Sequence, residues 1–442
     1  MENRLLMRYP LGNPHRVWRQ DNFILSAFCP GKLGLKEPET EEENTKMRRA
    51  VKTCADAGFN LLELGWASPE RGMAAVWEAE KQEIGVIYQN LKRFGAMGEK
   101  NVFCEKNDLP GAMEELGRWK SVRGFYLYDE PWAPEQMRTV RKMMDYAERV
   151  RPDLLPFTVA LPSNLKCCPW SENAREPYVE NFVSIIDPPV MSFDYYPIGP
   201  KTVPEFQADH SRIWCDLQHF SDVARSRGIP FWFYYEGQNL HNLEYFIFPM
   251  VRMAMHAALL YGPKALQHYT PYGAVVDEET GGKGIFFEEQ KKMNAQMREW
   301  GNTLMAINSD LVVHDAMVDP VKCPAFNEKY RHSMAESTLL KEKELPRRCS
   351  IAELSDAYGN RYLMVLNRDY EETQEFSLKL KYSSRLYEIS REDGLQYVAA
   401  ERAKSVDVRL EPGDMAFYRV QRASEKPFTI EYMLDKTLPD RI

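Results

Sequence analysis

The stretch GFYLYDEPW, from Gly124 to Trp132, decides the fold together with a similar stretch, IPFWFYYEGQN, from Ile229 to Asn239. Both are rich in aromatic and apolar residues, which is typical of a buried strand. Each strand ends in a glutamate, Glu130 in the first stretch and Glu236 in the second. A carboxylate at the carboxyl end of a buried strand is the pattern expected where parallel strands carry a functional site.

Apolar segments of this kind recur through residues 1–310, and amphipathic helical segments lie between them. We predict strands at Phe23–Pro30, Phe59–Trp66, Asn101–Lys106, Val122–Asp129, Leu155–Leu161, Pro189–Tyr195, Ile229–Glu236 and Ala265–Tyr269. Helices are predicted at Glu43–Ala57, Gly111–Lys120, Pro134–Val150, Val203–Arg227, Asn242–Leu260 and Glu288–Asn308. This alternation predicts an α/β fold of the (β/α)8 barrel type, because parallel strands need crossovers and closure removes the sheet edges.

From about Leu311 the pattern changes to short alternating segments separated by turn residues such as Asp393-Gly394 and Pro412-Gly413-Asp414. Helical periodicity is absent there, which favours an antiparallel β-sandwich. We therefore predict a catalytic barrel at 1–310, a C-terminal β-sandwich domain at 311–422 and an extended tail at 423–442.

Charge and composition exclude several classes of partner. The 442 residues include 57 basic and 65 acidic side chains, a net charge of −8, and no basic cluster is long enough to follow a phosphate backbone. No run of about 18 apolar residues predicts a membrane span. The first residues lack the apolar centre of a signal peptide, so we expect a cytoplasmic protein unless a leader has been removed. The oligomeric state stays open.

Sequence motifs for nucleotides and metals are absent as well. The chain has no Walker A loop, no dinucleotide-binding glycine fingerprint and no HExxH. The eight cysteines include no CxxC pair, so a structural zinc site is not expected. We predict no cofactor and no metal.

Glu130 and Glu236 close the fourth and seventh predicted strands, at the edge of the barrel where active sites lie. Strict alternation gives Glu130 the same face as Gly124, Tyr126 and Tyr128, and gives Glu236 the same face as Trp232 and Tyr234. Two carboxyls held together suit glycoside hydrolysis, in which one acts as acid and base and the other as nucleophile or activator of water. The alternative is a pair of ordinary strand-end acids that cap helices or bind arginine.

Other strand ends supply candidate groups for binding sugar hydroxyls or ring faces. They are Glu63, Trp66, Tyr128, Trp132, Asp194, Tyr195, Tyr234, His268 and Tyr269. Structural roles compete with each of these: an acid can fix a loop or pair with arginine, a tryptophan can cover the barrel, and a buried histidine can bond a backbone carbonyl.

The motif Asp129-Glu130-Pro131 resembles the Asn-Glu-Pro motif at the end of strand four in clan A glycoside hydrolases, in the style of families 42 and 5. The C-terminal segment LEPGDMAFYRV is similar to the sandwich domains of such enzymes. The resemblance implies a carbohydrate substrate and a retaining mechanism, with Glu130 as acid/base and Glu236 as nucleophile. The family's Asn contacts the sugar 2-hydroxyl, whereas an ionised Asp129 only accepts hydrogen bonds and adds negative charge beside Glu130.

Two hypotheses of other classes remain. A catalytically silent barrel would bind glycan or serve as a scaffold, and the departure at Asp129 is its main support. A metal-dependent hydrolase would use Asp194, Glu63 and His268 as ligands.

Overall fold

The computed structural model describes residues 16–28, 40–65, 69–89, 109–162, 175–196, 211–240, 245–315 and 332–425. Its first sheet has eight parallel strands: β1 Ile24–Phe28, β2 Leu61–Leu64, β3 Gly85–Tyr88, β4 Val122–Asp129, β5 Leu155–Val159, β6 Met191–Asp194, β7 Phe231–Glu236 and β8 Ala265–Tyr269. Their order is β5-β4-β3-β2-β1-β8-β7-β6. This confirms the predicted (β/α)8 fold class.

The barrel closes between β5 and β6. Ala160, directly after β5, forms a parallel bridge with Phe193 of β6, and its amide donates to the carbonyl of Ser192 at 2.8 Å. The sheet therefore has a single short seam, and the carboxyl ends of all eight strands meet at one rim.

The helices around the barrel are α1 Glu41–Asp56, α2 Pro69–Lys81, α3 Leu109–Leu116, α4 Pro134–Val150, α5 Arg175–Asn181, α6 Ser211–Arg227, α7 Phe248–Leu259 and α8 Phe287–Ala306. Pro134 opens α4 at a position where its missing N–H is tolerated. Gly58 and Gly228 follow α1 and α6 with φ of 89° and 66°, a left-handed conformation that glycine adopts without strain. Among the described helices, none is both long and apolar enough to cross a bilayer.

The third barrel strand differs from the prediction. The predicted strand Asn101–Lys106 lies outside the described residues, and the strand that pairs with both β2 and β4 is Gly85–Tyr88. The preceding helix Pro69–Lys81 was not predicted either. Only the short segment 82–84 separates this helix from a strand of four residues, which is too short to give a clear alternating pattern in the sequence.

The barrel interior is packed with aromatic rings rather than open. Trp232 faces this interior, and its ring centroid lies 5.5 Å from that of Phe157 and 6.5 Å from that of Trp18. Its indole N–H donates to the side chain of Gln20 at 2.8 Å, and Gln20 in turn donates to the carbonyl of Lys264 at 2.6 Å. The segment before β1 therefore closes the amino-terminal end of the barrel, and the polar groups of the interior lie toward the other end.

The C-terminal sheet has six antiparallel strands, β9 Ile307–His314, β10 Cys349–Asp356, β11 Arg361–Asn367, β12 Gln374–Ile389, β13 Gln396–Leu410 and β14 Met415–Arg422. Their order is β13-β12-β14-β11-β10-β9. One face contributes to a second core that includes Ile351, Leu378 and Val406, which is consistent with the predicted β-sandwich. The sheet begins at Ile307, directly after α8, earlier than residue 311. Residues 426–442 of the predicted tail lie outside the described ranges.

The other face of this sheet packs against the barrel helices. Trp300 of α8 contacts the ring of Phe417 edge to face at 5.4 Å and donates its indole N–H to the carbonyl of Ile389 at 3.1 Å. A nitrogen of His256 in α7 lies 2.9 Å from the carbonyl of Gly413. Apolar packing and these polar contacts hold the two sheets in one body, with the C-terminal domain on the outside of the barrel.

Candidate active site

Five carboxyl groups lie at the carboxyl ends of four barrel strands. Glu63 belongs to β2, Asp129 to β4, Asp194 to β6 and Glu236 to β7, and Glu130 directly follows β4. In parallel strands these ends lie on the same rim, so the sequence brings together acids that are distant in the chain. Contacts among these groups and the aromatic side chains between them define the candidate site.

An extra residue in β4 decides which of its side chains enter the barrel. The pairing with β5 shifts register between Tyr126 and Tyr128, a β-bulge. Tyr126 therefore faces the interior, whereas Tyr128 packs in the outer layer between strands and helices. The predicted common face of Tyr126, Tyr128 and Glu130 is wrong, because the bulge breaks the alternation and turns Asp129 toward Tyr126.

Asp129 accepts a hydrogen bond from a tyrosine of the barrel interior. The hydroxyl of Tyr126 donates to Asp129 Oδ1 at 2.7 Å. Burial raises the pKa of Asp129 above its ordinary value, and the hydrogen bond from Tyr126 opposes that rise. One carboxylate oxygen of Asp129 is thus engaged by the protein.

Glu130 and Asp194 form a carboxyl pair across the site. Burial and the charge of Asp129 raise the pKa of Asp194 to about 7, while hydrogen bonds from Tyr196 and Glu130 stabilise its ionised form. A hydrogen bond between two carboxyls requires a proton on one of them. Glu130 and Asp194 therefore share one proton.

The backbone of Glu130 has a conformation that is uncommon for a residue with a side chain. Its φ is 49°, in the left-handed region. Such conformations cost energy and concentrate at functional sites, where the surrounding structure enforces them. Here the left-handed residue directly follows β4, at the start of the loop that carries Trp132.

Glu236 ends β7, and its side chain is completely buried, with 0% exposure. No register shift interrupts β7, so the predicted alternation holds: Trp232 and Tyr234 face the interior. Tyr269 of β8 is the register partner of Glu236. The ring of Tyr269 stacks on that of Tyr196 at 4.6 Å, so an aromatic layer lines the rim beside this carboxyl.

Glu63 is the centre of a buried polar network lower in the barrel. Gln267 donates to Glu63 Oε1 at 2.9 Å, and the hydroxyls of Ser26 and Tyr234 donate to its two oxygens. Ser192 extends the network by donating to Gln267 at 2.7 Å. Burial raises the pKa of Glu63 to about 7 against the hydrogen bonds from Gln267 and Ser26. This acid connects β1, β2, β6, β7 and β8 across the interior.

Two further predicted residues face away from the site. Tyr195 packs in the outer layer, and the interior position belongs to its neighbour Tyr196. His268 also faces outward, where its Nδ1 lies 2.8 Å from the hydroxyl of Tyr235. Burial lowers the pKa of His268 to about 3, so it is neutral. Both corrections follow from strand alternation, which puts successive side chains on opposite faces.

Two tryptophans, Trp66 and Trp132, were predicted to bind sugar. Trp66 lies outside the described residues. Trp132 lies on the loop after β4 with 44% exposure, and its backbone N–H donates to Gln136 at 2.9 Å.

Sequence reasoning missed Ser26 and Gln267, whose only signal was their polar character at interior positions of apolar strands.

Gly237 fixes the position of the chain after Glu236. A Cβ at Gly237 would lie 2.0 Å from Nε2 of the buried His268. We expect Gly237→Ala to lower the free energy of unfolding by about 2–3 kcal/mol, because His268 is enclosed and cannot withdraw. Urea denaturation measures this, and the matched control is Gly282→Ala, whose nearest contact is Thr280 Oγ1 at 3.1 Å. Equal stability of the two variants would contradict the packing argument.

Within the ranges that the structure covers, no group of three or more His, Cys, Asp or Glu side chains is arranged to hold a metal ion.

No protein-family model matches the sequence, and no curated protein is similar to it in sequence.

Comparison with solved structures finds proteins whose names describe them as glycosidases. A protein assigned as an alpha-galactosidase from Bacteroides fragilis has a TM-score of 0.50 and 11% identity, over 91% of this chain and 79% of that one. An Anoxybacillus alpha-amylase has a TM-score of 0.49 and 10% identity, over 92% and 99%. A family 51 alpha-L-arabinofuranosidase from Bifidobacterium longum has a TM-score of 0.48 and 12% identity, over 94% and 97%. The likeness to the first of these, at a TM-score of 0.50, concerns the fold alone.

Proposed function

We propose that this protein is a glycoside hydrolase that retains anomeric configuration, with Glu130 as acid/base and Glu236 as nucleophile. The observation that carries the proposal is that Glu130, Asp194 and Glu236 lie at the ends of β4, β6 and β7 on one rim of the barrel, where Glu130 is paired with Asp194. A retaining enzyme needs one protonated and one ionised carboxyl in its resting state. The proton that Glu130 shares with Asp194 is the one that an acid catalyst at Glu130 would donate.

The chemistry runs in two steps. Glu236 attacks the anomeric carbon and forms a glycosyl ester, while Glu130 donates its proton to the departing glycosidic oxygen. Glu130, now ionised, then takes a proton from water, whose oxygen attacks the anomeric carbon. The ester bond to Glu236 breaks, and both carboxyls return to their first state.

The other side chains at the rim suit binding of the sugar. Asp129 keeps one oxygen beyond its bond to Tyr126 and can accept a hydrogen bond from a sugar hydroxyl. The exposed ring of Trp132 offers an apolar face to a pyranose. Glu63 lies within a closed network, so we propose that it positions Tyr234 beneath the substrate rather than binding sugar.

The proposal is tested by incubating the protein with a panel of neutral oligosaccharides and aryl glycosides while reducing ends are measured. We expect turnover of at least one glycoside, and proton NMR of the first product should show the anomer of the substrate. Heat of binding in calorimetry without any product across the panel would favour the silent glycan-binding barrel. Inversion of the anomer would reject Glu236 as nucleophile.

Asp194 gives a second prediction, on pH dependence. Asp194 shares a proton with Glu130, so Asp194→Asn removes a neighbouring carboxyl that raises the proton affinity of Glu130. We expect the alkaline limb of the kcat/KM profile to move to lower pH by about one unit. The control Asp145→Asn changes an exposed carboxylate that pairs with Arg141 on the outer surface. An unchanged alkaline limb in Asp194→Asn would contradict the pairing.

A further inference from the structure

The C-terminal domain contains a cavity of about 600 Å³, remote in sequence from the strand ends of the barrel. It lies where β11, β12 and β14 meet, since Arg361 is the register partner of Val420 and Ser384 that of Arg422. This volume falls in the range of sites that hold small ligands.

The walls of this cavity are cationic in a chain whose net charge is −8. Arg361, Lys381, Arg419 and Arg422 line it, against the single carboxylate of Glu425. Within the described part of the chain, none of Arg361, Lys381 and Arg422 forms an ion pair. Concentrated positive charge of this kind attracts an anion and is costly to maintain without one.

The cations are held in place by neighbouring groups. Arg361 donates to the hydroxyl of Thr338, and Lys381 donates to the carbonyl of Ser337. The guanidinium of Arg422 stacks on the ring of Tyr382 at 4.0 Å from its centroid. A stacked guanidinium keeps its N–H edge available for bidentate contact with a carboxylate or sulfate.

The rest of the lining indicates the kind of anion. Most of the other lining residues are polar, namely Ser337, Thr338, Asn360, Ser384 and Gln421. The apolar surface is limited to Leu339, Val420 and the ring of Tyr382, which is 48% exposed. Such polar walls suit an anion that is polar throughout, such as an acidic sugar, better than an apolar one.

From this arrangement we propose that the cavity between β11, β12 and β14 is a second carbohydrate site, which binds a saccharide bearing a carboxylate or a sulfate. The site is separate from the barrel rim, and its occupancy does not depend on hydrolysis there. It gives the C-terminal domain a binding role: it holds the protein on an acidic glycan.

Isothermal titration calorimetry on the full chain tests this with four probes: a galacturonate trisaccharide, a sulfated galactose trisaccharide, neutral galactotriose and inorganic sulfate. We expect at least one acidic trisaccharide to bind at least tenfold more tightly than galactotriose and inorganic sulfate, and to weaken as sodium chloride is raised. The carboxylate and sulfate arms identify which anionic group is preferred. Equal affinity for galactotriose, equal affinity for inorganic sulfate, or no binding of either acidic trisaccharide would overturn the proposal.

Variants locate the site. We expect the double substitution R361Q/R422Q to weaken binding of the preferred trisaccharide at least tenfold, and R361K/R422K to retain part of it because the charge remains. The control is R409Q, an exposed arginine on the same sheet that pairs with Glu375 outside the cavity. Thermal unfolding checks that each variant is folded. Full affinity in R361Q/R422Q, or an equal loss in R409Q, would place the binding elsewhere.

Discussion

Glu236→Gln is expected to lower kcat on a cleaved glycoside at least 10³-fold while leaving the thermal unfolding midpoint within a few degrees of the wild type. An amide cannot form the glycosyl ester, so the first chemical step is lost. Because Gln has nearly the same size, the buried position at the end of β7 is still filled. Initial rates from reducing ends and a melting curve measure the two effects.

Glu130→Gln should behave differently with different leaving groups, and this separates the two roles. General acid catalysis contributes roughly 10²–10⁴. For an oligosaccharide, we expect kcat to fall by this whole factor. For a dinitrophenyl glycoside, whose leaving group needs no proton, we expect little change in the rate of the first step. Glu135→Gln is the matched control, an exposed acid in the first turn of α4. If Glu130→Gln or Glu236→Gln retained full activity, the assignment would fail.

Glu63→Ala is expected to lower the free energy of unfolding by roughly 3–5 kcal/mol at pH 7. The truncation leaves the buried donors of Ser26, Tyr234 and Gln267 without their acceptor and opens a space inside the barrel. Glu42→Ala, in the exposed first turn of α1, should change it by less than about 0.5 kcal/mol. Urea denaturation of both variants measures this, and a loss below about 1 kcal/mol for Glu63→Ala would contradict the network.

Glu63 also predicts a pH dependence of stability. Its pKa rises from 4.5 to about 7 on folding, so the folded protein binds one more proton than the unfolded chain between these values. The free energy of unfolding therefore falls as pH rises through this window, by about 1.4 kcal/mol per pH unit, and the contribution is constant above pH 7. Glu63→Gln should remove this part of the pH dependence. The part that comes from Asp194, whose pKa is raised from 3.8 to about 7, should remain. An unchanged slope in Glu63→Gln would contradict the raised pKa.

The sequence predicts the fold where a local signal is strong. The strands Val122–Asp129 and Ala265–Tyr269 and the helix Pro134–Val150 have the predicted bounds, because long apolar runs and Pro134 mark them. The strand Gly85–Tyr88 was missed, since four residues beside a helix carry little periodic signal.

Within the site, strict alternation of side chains predicts correctly which residues of β7 face the interior, and it predicts them wrongly for β4. Trp232, Tyr234 and Glu236 follow a regular strand, whereas the bulge between Tyr126 and Tyr128 leaves no trace in a run of aromatic residues. The pairing of Asp194 with Glu130 is equally invisible in the sequence, because it depends on the closure of the barrel between β5 and β6.

The central claim is that Glu236 attacks the sugar and Glu130 supplies the proton. It is tested most directly by trapping the enzyme with the 2-deoxy-2-fluoro derivative of a glycoside that it cleaves and mapping the modified peptide by mass spectrometry. The expected result is one glycosyl group on the peptide that contains Glu236, and none in Glu236→Gln. A label on Asp129, Asp194 or Glu130 instead would contradict the account.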